Sequence, residues 1–282
     1  PLRARGRELA GVLSWNLGDR CSYRCSYCTQ RRKSKRDGTL EDVAGALRAL
    51  EPLPGAWAIK LSGGEPFEQP ALFELCAALV ARGHVLSVQT NFAAPLQTYR
   101  EFVALCGAQL EMLSLSLHLE KVQPVAFLEK LLLLRQELDP ELGLHVTCVA
   151  TPANLPRLRD ELRPLFEAHA VVLKVQPEKV DGRVRPYDAQ QRALLMELGG
   201  HNLSGEVEPC FRGRPCAAGM RYFIIKSDGR AFRCYPASRL GGRFAALGSL
   251  QEGIQLLPQV QLCPYAYCSC SVPRERGMVG RW

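Results

Sequence analysis

Three closely spaced cysteines near the start of the chain are the residues best suited to metal chemistry. Cys21, Cys25 and Cys28 form a C-x3-C-x2-C pattern. A structural zinc ion takes four protein ligands, and ferredoxin clusters are held by four cysteines. The next candidates, Cys76 and His84, lie far along the chain. Three thiolates on a four-iron cluster leave one iron open, so the spacing predicts a [4Fe–4S] cluster with an exogenous ligand. A zinc site or an ordinary ferredoxin-like cluster is the alternative.

A glycine-rich turn follows further along the chain. Residues 63–66 read Gly-Gly-Glu-Pro and come directly after an apolar run. Together with the cysteine loop, and with aromatic Tyr27 just before the last cysteine, this turn resembles the radical S-adenosylmethionine (radical SAM) enzymes. In that family the cysteine loop follows the first strand of a partial barrel and a GGEP turn ends the second. The chain is therefore identified as a radical SAM enzyme, and the resemblance implies a [4Fe–4S] cluster and S-adenosylmethionine (SAM) as cofactors.

The resemblance also implies a role for each residue of the two motifs. The three cysteines ligate the cluster, and the amino and carboxylate groups of SAM chelate the open iron. Gly63, Gly64 and Glu65 receive the ammonium group of SAM, because glycines allow backbone carbonyls to approach closely, and Tyr27 packs beside the adenine. One electron splits SAM into methionine and a 5′-deoxyadenosyl radical that abstracts a hydrogen atom from the substrate. The motifs name no further catalytic residue, and we expect a flavodoxin or ferredoxin as electron donor.

Further SAM contacts are expected at the carboxyl ends of the strands, where barrel enzymes place their sites. The polar candidates there are Asn91, Ser116, His118, Thr147 and Gln176. By resemblance to the family, Ser116 and His118 lie near the ribose and the methionine carboxylate. The alternative for each is a hydrogen-bonded polar residue without a cofactor role. The chain departs from the family at Phe92, since a glycine often follows the third-strand Thr-Asn.

Alternating strand and helix signals must position these residues. Six apolar runs have the length and near-continuous hydrophobicity of parallel strands covered on both faces. The predicted strands are Gly11–Leu17, Trp57–Leu61, Val85–Thr90, Leu110–Leu117, Leu142–Ala150 and Ala170–Val175. Segments with helical periodicity lie between them, and five or six βα repeats imply right-handed crossovers. About 175 residues fall short of the ~250 of a full eight-fold barrel, so the fold class is α/β, a partial (β/α)6 TIM-like barrel.

A second group of six cysteines lies between residues 210 and 270. Cys216 and Cys234 flank a predicted β-hairpin with its turn at Ser-Asp-Gly, and their C-x12-G-x4-C spacing resembles the SPASM and twitch extensions, which bind auxiliary iron–sulfur clusters. Six cysteines suffice for one auxiliary [4Fe–4S] cluster and not for two. The favoured ligands are Cys216, Cys234, Cys268 and Cys270, with Cys263 or Cys210 as alternates. A zinc-binding tail is the alternative.

This cysteine-rich tail suggests a division of the chain into two parts. We expect the barrel in residues 1–200 and a small twitch-like hairpin and helix extension in residues 201–282. So short a tail would struggle to bury a core of its own, which predicts a dependence on its metal site.

Composition narrows the remaining classes. Hydrophobic residues make up 47% of the sequence, enough for a core, and no apolar run approaches the length needed to cross a bilayer. Neither a signal peptide nor a disulfide scaffold is expected, so we predict a cytoplasmic protein without a membrane partner. The net charge is +8, partly from a basic run between Arg31 and Arg36, which is either a solvated surface or a site for an anionic partner.

The substrate is less constrained than the cofactors, because a fold hosts many functions. A small molecule such as a sugar, aminocyclitol or nucleotide is favoured, since the tail resembles the short twitch type. A ribosomally made peptide is the main alternative. Nucleic acid is disfavoured, because the basic run lacks interleaved aromatic residues for base stacking. A non-catalytic iron–sulfur or zinc electron-transfer module is the alternative of another class.

Overall fold

A single ten-stranded sheet organises the protein. The computed structural model describes residues 2–30 and 42–280. In chain order the strands are β1 (Leu2–Ala4), β2 (Arg7–Leu9), β3 (Gly11–Asn16), β4 (Trp57–Ser62), β5 (Val85–Thr90), β6 (Leu110–Ser116), β7 (Gly143–Ala150), β8 (Val172–Pro177), β9 (Lys179–Val180), β10 (Arg183–Val184), β11 (Pro215–Cys216), β12 (Tyr222–Ile225), β13 (Arg230–Phe232), β14 (Ala246–Ser249), β15 (Gly253–Ile254) and β16 (Gln261–Leu262).

The helices alternate with the strands of the first half of the chain. They are α1 (Val43–Leu50), α2 (Leu72–Ala81), α3 (Leu96–Cys106), α4 (Pro124–Arg135), α5 (Leu155–Arg157), α6 (Arg163–Glu167), α7 (Ala189–Glu197), α8 (Tyr235–Leu240) and α9 (Val272–Glu275). A π-helical turn at Leu158–Leu162 joins α5 and α6, and short 3₁₀ turns lie at Pro66–Glu68 and Gly107–Gln109.

The predicted partial barrel is confirmed. Strands β3 to β8 lie side by side in chain order, and every neighbouring pair among them is parallel. The six predicted strands are observed with ends shifted by at most two residues. These runs could be found from sequence because helices cover the outer face of the sheet, so apolar residues dominate each strand.

The strand residues divide between the two faces of the curved sheet. On β4, Ile59 and Leu61 belong to the core formed with the helices. Lys60 and Ser62, which alternate with them, therefore face the barrel interior. The same alternation on β7 places His145 and Thr147 inside, because Val146 belongs to the helix-covered core. Polar side chains thus line part of the barrel interior, whereas Val12 and Ala58 on the same face belong to a second apolar cluster.

The cysteine-rich tail continues the same sheet. Strand β12 pairs in parallel with β3, with Tyr222 opposite Val12, and β13, β14 and β15 follow in antiparallel order. Phe223 and Ile225 of β12 are buried in the barrel core. The predicted hairpin is observed as β12 and β13, but the tail shares the core of the barrel, so its packing does not depend on a metal site alone. The division at residue 200 stays a prediction, since the sheet crosses it.

Two sequence features need separate comment. The basic run from Arg31 to Arg36 lies outside the described residues. Within residues 2–30 and 42–280, no helix has the length and apolar character needed to cross a membrane.

Candidate active site

The first cysteine loop begins just beyond the end of β3 and is held at both ends by carboxylates. The backbone N–H of Ser22 donates to Glu68 Oε1 at 2.9 Å. The backbone N–H of Ser26 donates to Glu120 Oε2, also at 2.9 Å, and its hydroxyl bonds the other oxygen of the same group. Since Glu68 follows β4 and Glu120 follows β6, the loop is fixed across the carboxyl ends of the strands.

The side chains of Cys21, Cys25 and Cys28 are half-buried thiols. Cys25 Sγ lies 3.4 Å from Nδ1 of His118, and the Tyr27 hydroxyl lies 3.1 Å from the same nitrogen. The Asn91 side-chain amide lies 4.0 Å from Cys21 Sγ. The structure therefore brings the cysteine loop together with two of the predicted strand-end residues, Asn91 and His118.

Burial controls the protonation of this group. Desolvation raises the pKa of the Cys25 thiol. It also lowers the pKa of His118 to about 4, although the Glu120 charge partly opposes this shift. His118 is therefore a neutral imidazole near pH 7. The Tyr27 ring is buried and stacks on this imidazole with a centroid separation of 6.0 Å.

The glycine turn reaches the cysteine loop from the neighbouring strand. Gly63 and Gly64 have φ of 93° and 47°, in the left-handed region that favours glycine. A Cβ on Gly63 would lie 1.4 Å from Asn16 Oδ1, and one on Gly64 would lie 2.1 Å from the Arg20 carbonyl oxygen. The N–H of Glu65 donates to that carbonyl at 2.7 Å. Conformation and space thus both require the two glycines.

The Glu65 carboxylate is buried and hydrogen-bonded within the protein. The side chain is 2% exposed. One oxygen accepts from the Thr90 hydroxyl at 2.6 Å and the other from the Asn91 N–H at 2.5 Å. Burial raises the pKa of Glu65 to about 7, against the opposing effect of these hydrogen bonds. The carboxylate therefore ties the glycine turn to the end of β5, which leaves the backbone of the turn as the group open to a ligand.

The departure at Phe92 is resolved by local packing. Phe92 has φ of 60°, so it adopts the left-handed conformation that a glycine would take there. Lys130 Nζ donates to the Phe92 carbonyl at 2.8 Å and to the Ala94 carbonyl at 2.6 Å, and lies 4.4 Å above the Phe92 ring. The ring also packs on Tyr99. Lys130 and this packing hold the loop that carries Asn91.

The interior below the turn is polar. The Gln89 amide donates to Ser116 Oγ at 3.2 Å, and Ser116 Oγ lies 3.2 Å from the Thr147 hydroxyl. Gln176 is half-buried on β8, beside Val149 of β7. Ser116 and Thr147 thus have protein partners at the predicted strand ends.

A second constellation lies in the tail, around a small cavity. Four of its lining residues are cysteines, namely Cys216, Cys234, Cys263 and Cys268. Arg233 also lines it, and its buried Nε has no hydrogen-bond acceptor among the described residues. Burial raises the pKa of Cys234 to about 12, and Arg233 lowers it. Thiols beside an unsatisfied guanidinium fit an anionic thiolate cluster.

The lining differs from the favoured ligand set at one position. Cys263, an alternate, lines the cavity, whereas Cys270 does not. The Cys270 thiol instead lies 3.7 Å from the Tyr222 hydroxyl. Cys268 and Cys270 are separated by one residue in a segment outside the strands, and a single cube cannot readily accept both. Cys210 is exposed on another part of the surface.

The scattered cysteines behave as small apolar residues. Cys76, Cys106 and Cys148 are buried in the barrel core. Within the described parts of the chain, no three His, Cys, Asp or Glu side chains are arranged to hold a single metal ion.

The sequence of the barrel decides the family. Residues 15–119, which contain both the cysteine loop and the glycine turn, match the radical SAM superfamily. The chain carries a radical SAM domain. The expectation of a radical SAM enzyme with a [4Fe–4S] cluster and SAM is thereby confirmed, and the number of cysteines is compatible with an auxiliary cluster.

Solved structures with the same fold agree with the radical SAM domain. The protein anSMEcpe with bound AdoMet is 16% identical, with a TM-score of 0.60, over 85% of this chain and 77% of that one. Streptococcus suis SuiB bound to precursor peptide SuiA is 15% identical, with a TM-score of 0.62, over 86% of this chain and 63% of that one. No curated protein sequence matches the chain.

The residues of the radical SAM domain fit these cofactors. Three thiols share one loop, and the two glycines beside them place no side chain of their own over the backbone of the turn, whose Gly64 N–H donates to Gln30 Oε1 at 2.7 Å. Asn16 Oδ1, next to Gly63, is buried without a hydrogen-bond donor among the described residues. An acceptor left open beside the glycine turn suits a ligand with an ammonium or hydroxyl group.

Proposed function

We propose that Cys21, Cys25 and Cys28 hold the [4Fe–4S] cluster, and that the Gly63–Gly64 backbone binds the amino end of SAM. When bound, these cofactors supply the 5′-deoxyadenosyl radical for hydrogen abstraction. The observation that carries the proposal is the contact between the two motifs, through the Glu65 N–H and the Arg20 carbonyl at 2.7 Å. This contact joins the glycine turn to the start of the cysteine loop, which supports one cofactor site shared by the two motifs.

The remaining residues of the site orient the glycine turn and enclose the proposed cofactor site. Glu65 fixes the glycine turn against Thr90 and Asn91, and the neutral His118 lies with Nδ1 3.1 Å from the Tyr27 hydroxyl and stacks on the Tyr27 ring. Asn91, Ser116 and His118 are proposed to contact SAM, as the resemblance implies. A buried, rigid setting excludes water, which protects a radical from side reactions.

For the tail, the proposed ligand set of an auxiliary [4Fe–4S] cluster is Cys216, Cys234, Cys263 and Cys268. Support comes from their shared cavity and from the Arg233 guanidinium beside them. Such a cluster would accept or supply electrons for the substrate, and a flavodoxin or ferredoxin in the cytoplasm is the proposed external donor.

The proposed substrate is a small polar molecule bound inside the barrel. The hydrogen-bonded side chains of Gln89, Ser116 and Thr147 support this assignment, because they offer donors and acceptors just below the SAM site. A peptide substrate is the second candidate. It is favoured by the likeness to SuiB, which is described with its precursor peptide SuiA.

Anaerobic reconstitution tests the chemistry. We expect about eight iron atoms per chain for two clusters, and formation of 5′-deoxyadenosine from SAM under dithionite. A variant with Cys21, Cys25 and Cys28 all changed to alanine should bind about four irons and form none of the product. Cys76→Ala is the matched control, since that thiol is buried in the core. Wild-type protein that binds iron but never cleaves SAM would contradict the proposal.

The substrate class needs a different measurement. A cell extract is divided into small-molecule and peptide fractions, and each is added to the reconstituted enzyme. The small-molecule fraction should raise the rate of 5′-deoxyadenosine formation above the rate without substrate. Stimulation by the peptide fraction alone would reject the small-molecule assignment and support the peptide alternative.

A further inference from the structure

Two lysines occupy positions in the barrel interior that are unusual for charged side chains. Lys60 lies on β4 between Ile59 and Leu61, which face the helices, so Lys60 faces inward. It is in register with Ser14 on one side and Ser87 on the other. Lys60 is half-buried, and it lies three residues before Gly63, roughly 10 Å along the strand from the glycine turn.

Lys174 approaches the same space from the opposite end of the parallel sheet. It lies on β8 beside Val175, which belongs to the helix-covered core, and it pairs with Thr147. Thr147 contacts Ser116, one of the proposed SAM contacts. Lys174 is therefore close to the level of the SAM site.

The charges of both lysines lower the pKa of the same buried residue, His145. The pKa of His145 is lowered to about 3, first by burial and then by the charges of Lys174 and Lys60. His145 faces inward on β7, so the two ammonium groups converge on one region of the interior although their strands are not adjacent.

The described residues give neither ammonium group a hydrogen-bond or ion-pair partner. Among the described residues, no hydrogen bond or ion pair reaches the side chain of Lys60 or Lys174, whereas Lys130 and Lys179 each donate to a backbone carbonyl. A charge moved out of water without a partner is costly, and burial lowers the pKa of both lysines.

The nearby acidic groups do not compensate these charges. Glu111 pairs with Arg276 at 2.9 Å and also accepts from the Ser87 hydroxyl at 3.2 Å. The Glu275 charge raises the pKa of both lysines, but the Glu275 side chain is exposed. With Arg276 also close by, the interior has an excess of positive charge facing a polar space.

We propose that Lys60 and Lys174 bind an anionic oxygen group of the substrate, a carboxylate or a phosphate, inside the barrel below the SAM site. This assignment rests on the proposed function, because it assumes that the substrate enters the barrel. Ammonium groups form charge-assisted hydrogen bonds with such anions, and the anion supplies the counter-charge that the described protein groups do not.

The test uses the reconstituted, SAM-saturated enzyme, titrated calorimetrically with inorganic phosphate and with acetate at constant ionic strength. We expect one anion to bind in a 1:1 ratio, and Lys60→Met and Lys174→Met each to weaken that binding at least tenfold. Lys121→Met, which removes the same charge from an exposed position, should bind like wild type. Preference for phosphate indicates a phosphorylated substrate, and preference for acetate a carboxylate.

Several outcomes would overturn the inference. These are the absence of anion binding to wild-type enzyme, anion binding by both lysine variants that equals that of wild type, and a matching loss of SAM affinity, which would assign the lysines to the SAM carboxylate. If a methionine variant fails to retain its iron, Lys60→Arg and Lys60→Gln carry the test, since only the first should keep binding. Failure of the proposed function is scored separately, as absence of 5′-deoxyadenosine formation by wild type.

Discussion

The substitution Gly64→Ala should separate the glycine turn from the cysteine loop. Gly64 has φ of 47°, and an added Cβ would lie 2.1 Å from the Arg20 carbonyl oxygen. That oxygen also accepts from the Glu65 N–H at 2.7 Å. The methyl group must therefore push the two segments apart and break this hydrogen bond.

The magnitude follows from three contributions. A left-handed alanine costs about 1–2 kcal/mol, insertion of a methyl group into a packed site costs about 1–3 kcal/mol, and the lost hydrogen bond costs about 1 kcal/mol. The matched control is Gly6→Ala, because Gly6 lies in the two-residue turn between β1 and β2 with a left-handed φ of 73° but no atom within 4 Å of the added Cβ. Only the first contribution applies there, so Gly64→Ala should be the less stable of the two by about 2–4 kcal/mol.

The assay compares thermal unfolding of the reconstituted proteins and their affinity for SAM. Gly64→Ala should melt roughly 5–15 °C below Gly6→Ala, and it should bind SAM at least tenfold more weakly, whereas the control binds SAM normally. Equal melting temperatures and equal SAM affinities would refute the argument that the two motifs are joined at Arg20.

Three further outcomes are expected. The pKa of Glu65 in the folded protein is about 7, above its ordinary value of 4.5. The free energy of unfolding of wild type should therefore fall by about 3 kcal/mol relative to Glu65→Gln as the pH rises from 4.5 to above 7. Parallel curves of melting temperature against pH for the two proteins would contradict this. Lys130→Met removes two hydrogen bonds that hold the Phe92 loop and should destabilise the protein by about 2–4 kcal/mol, as measured by thermal unfolding. Unchanged stability and SAM affinity would show that Lys130 does not support that loop. Cys263→Ala should lower the iron content by about four atoms per chain whereas Cys270→Ala should not, and iron analysis giving the reverse result would restore the ligand set favoured from sequence.

The barrel and its cofactors were readable from sequence because both depend on local patterns. Continuous apolar runs mark strands covered on both faces, and the six predicted strands agree with β3 to β8 within two residues. The cysteine spacing and the Gly63–Gly64 turn are likewise local, since three thiols in one loop and a left-handed turn need only neighbouring residues.

The tail was less predictable, because its contacts join distant parts of the chain. The hairpin was visible from the turn around Gly229, but its parallel pairing with β3 links residues about 210 positions apart. Which cysteines share a cavity depends on the packing of several short loops around Arg233. The sequence analysis favoured Cys270, whereas in the fold that thiol lies 3.7 Å from the Tyr222 hydroxyl.

The sequence by itself determined the chemistry of the first site: three thiolates, one ligand short of a full set, followed by a turn that requires two glycines. Tertiary structure alone decided how that site is supported and what lies beneath it. Glu65 is bound to the end of the next strand, Phe92 is held by Lys130, and Lys60 and Lys174 converge from separate strands. The physical reason is that ligand type and backbone conformation are properties of short segments, whereas burial and charge compensation depend on every element packed around a residue.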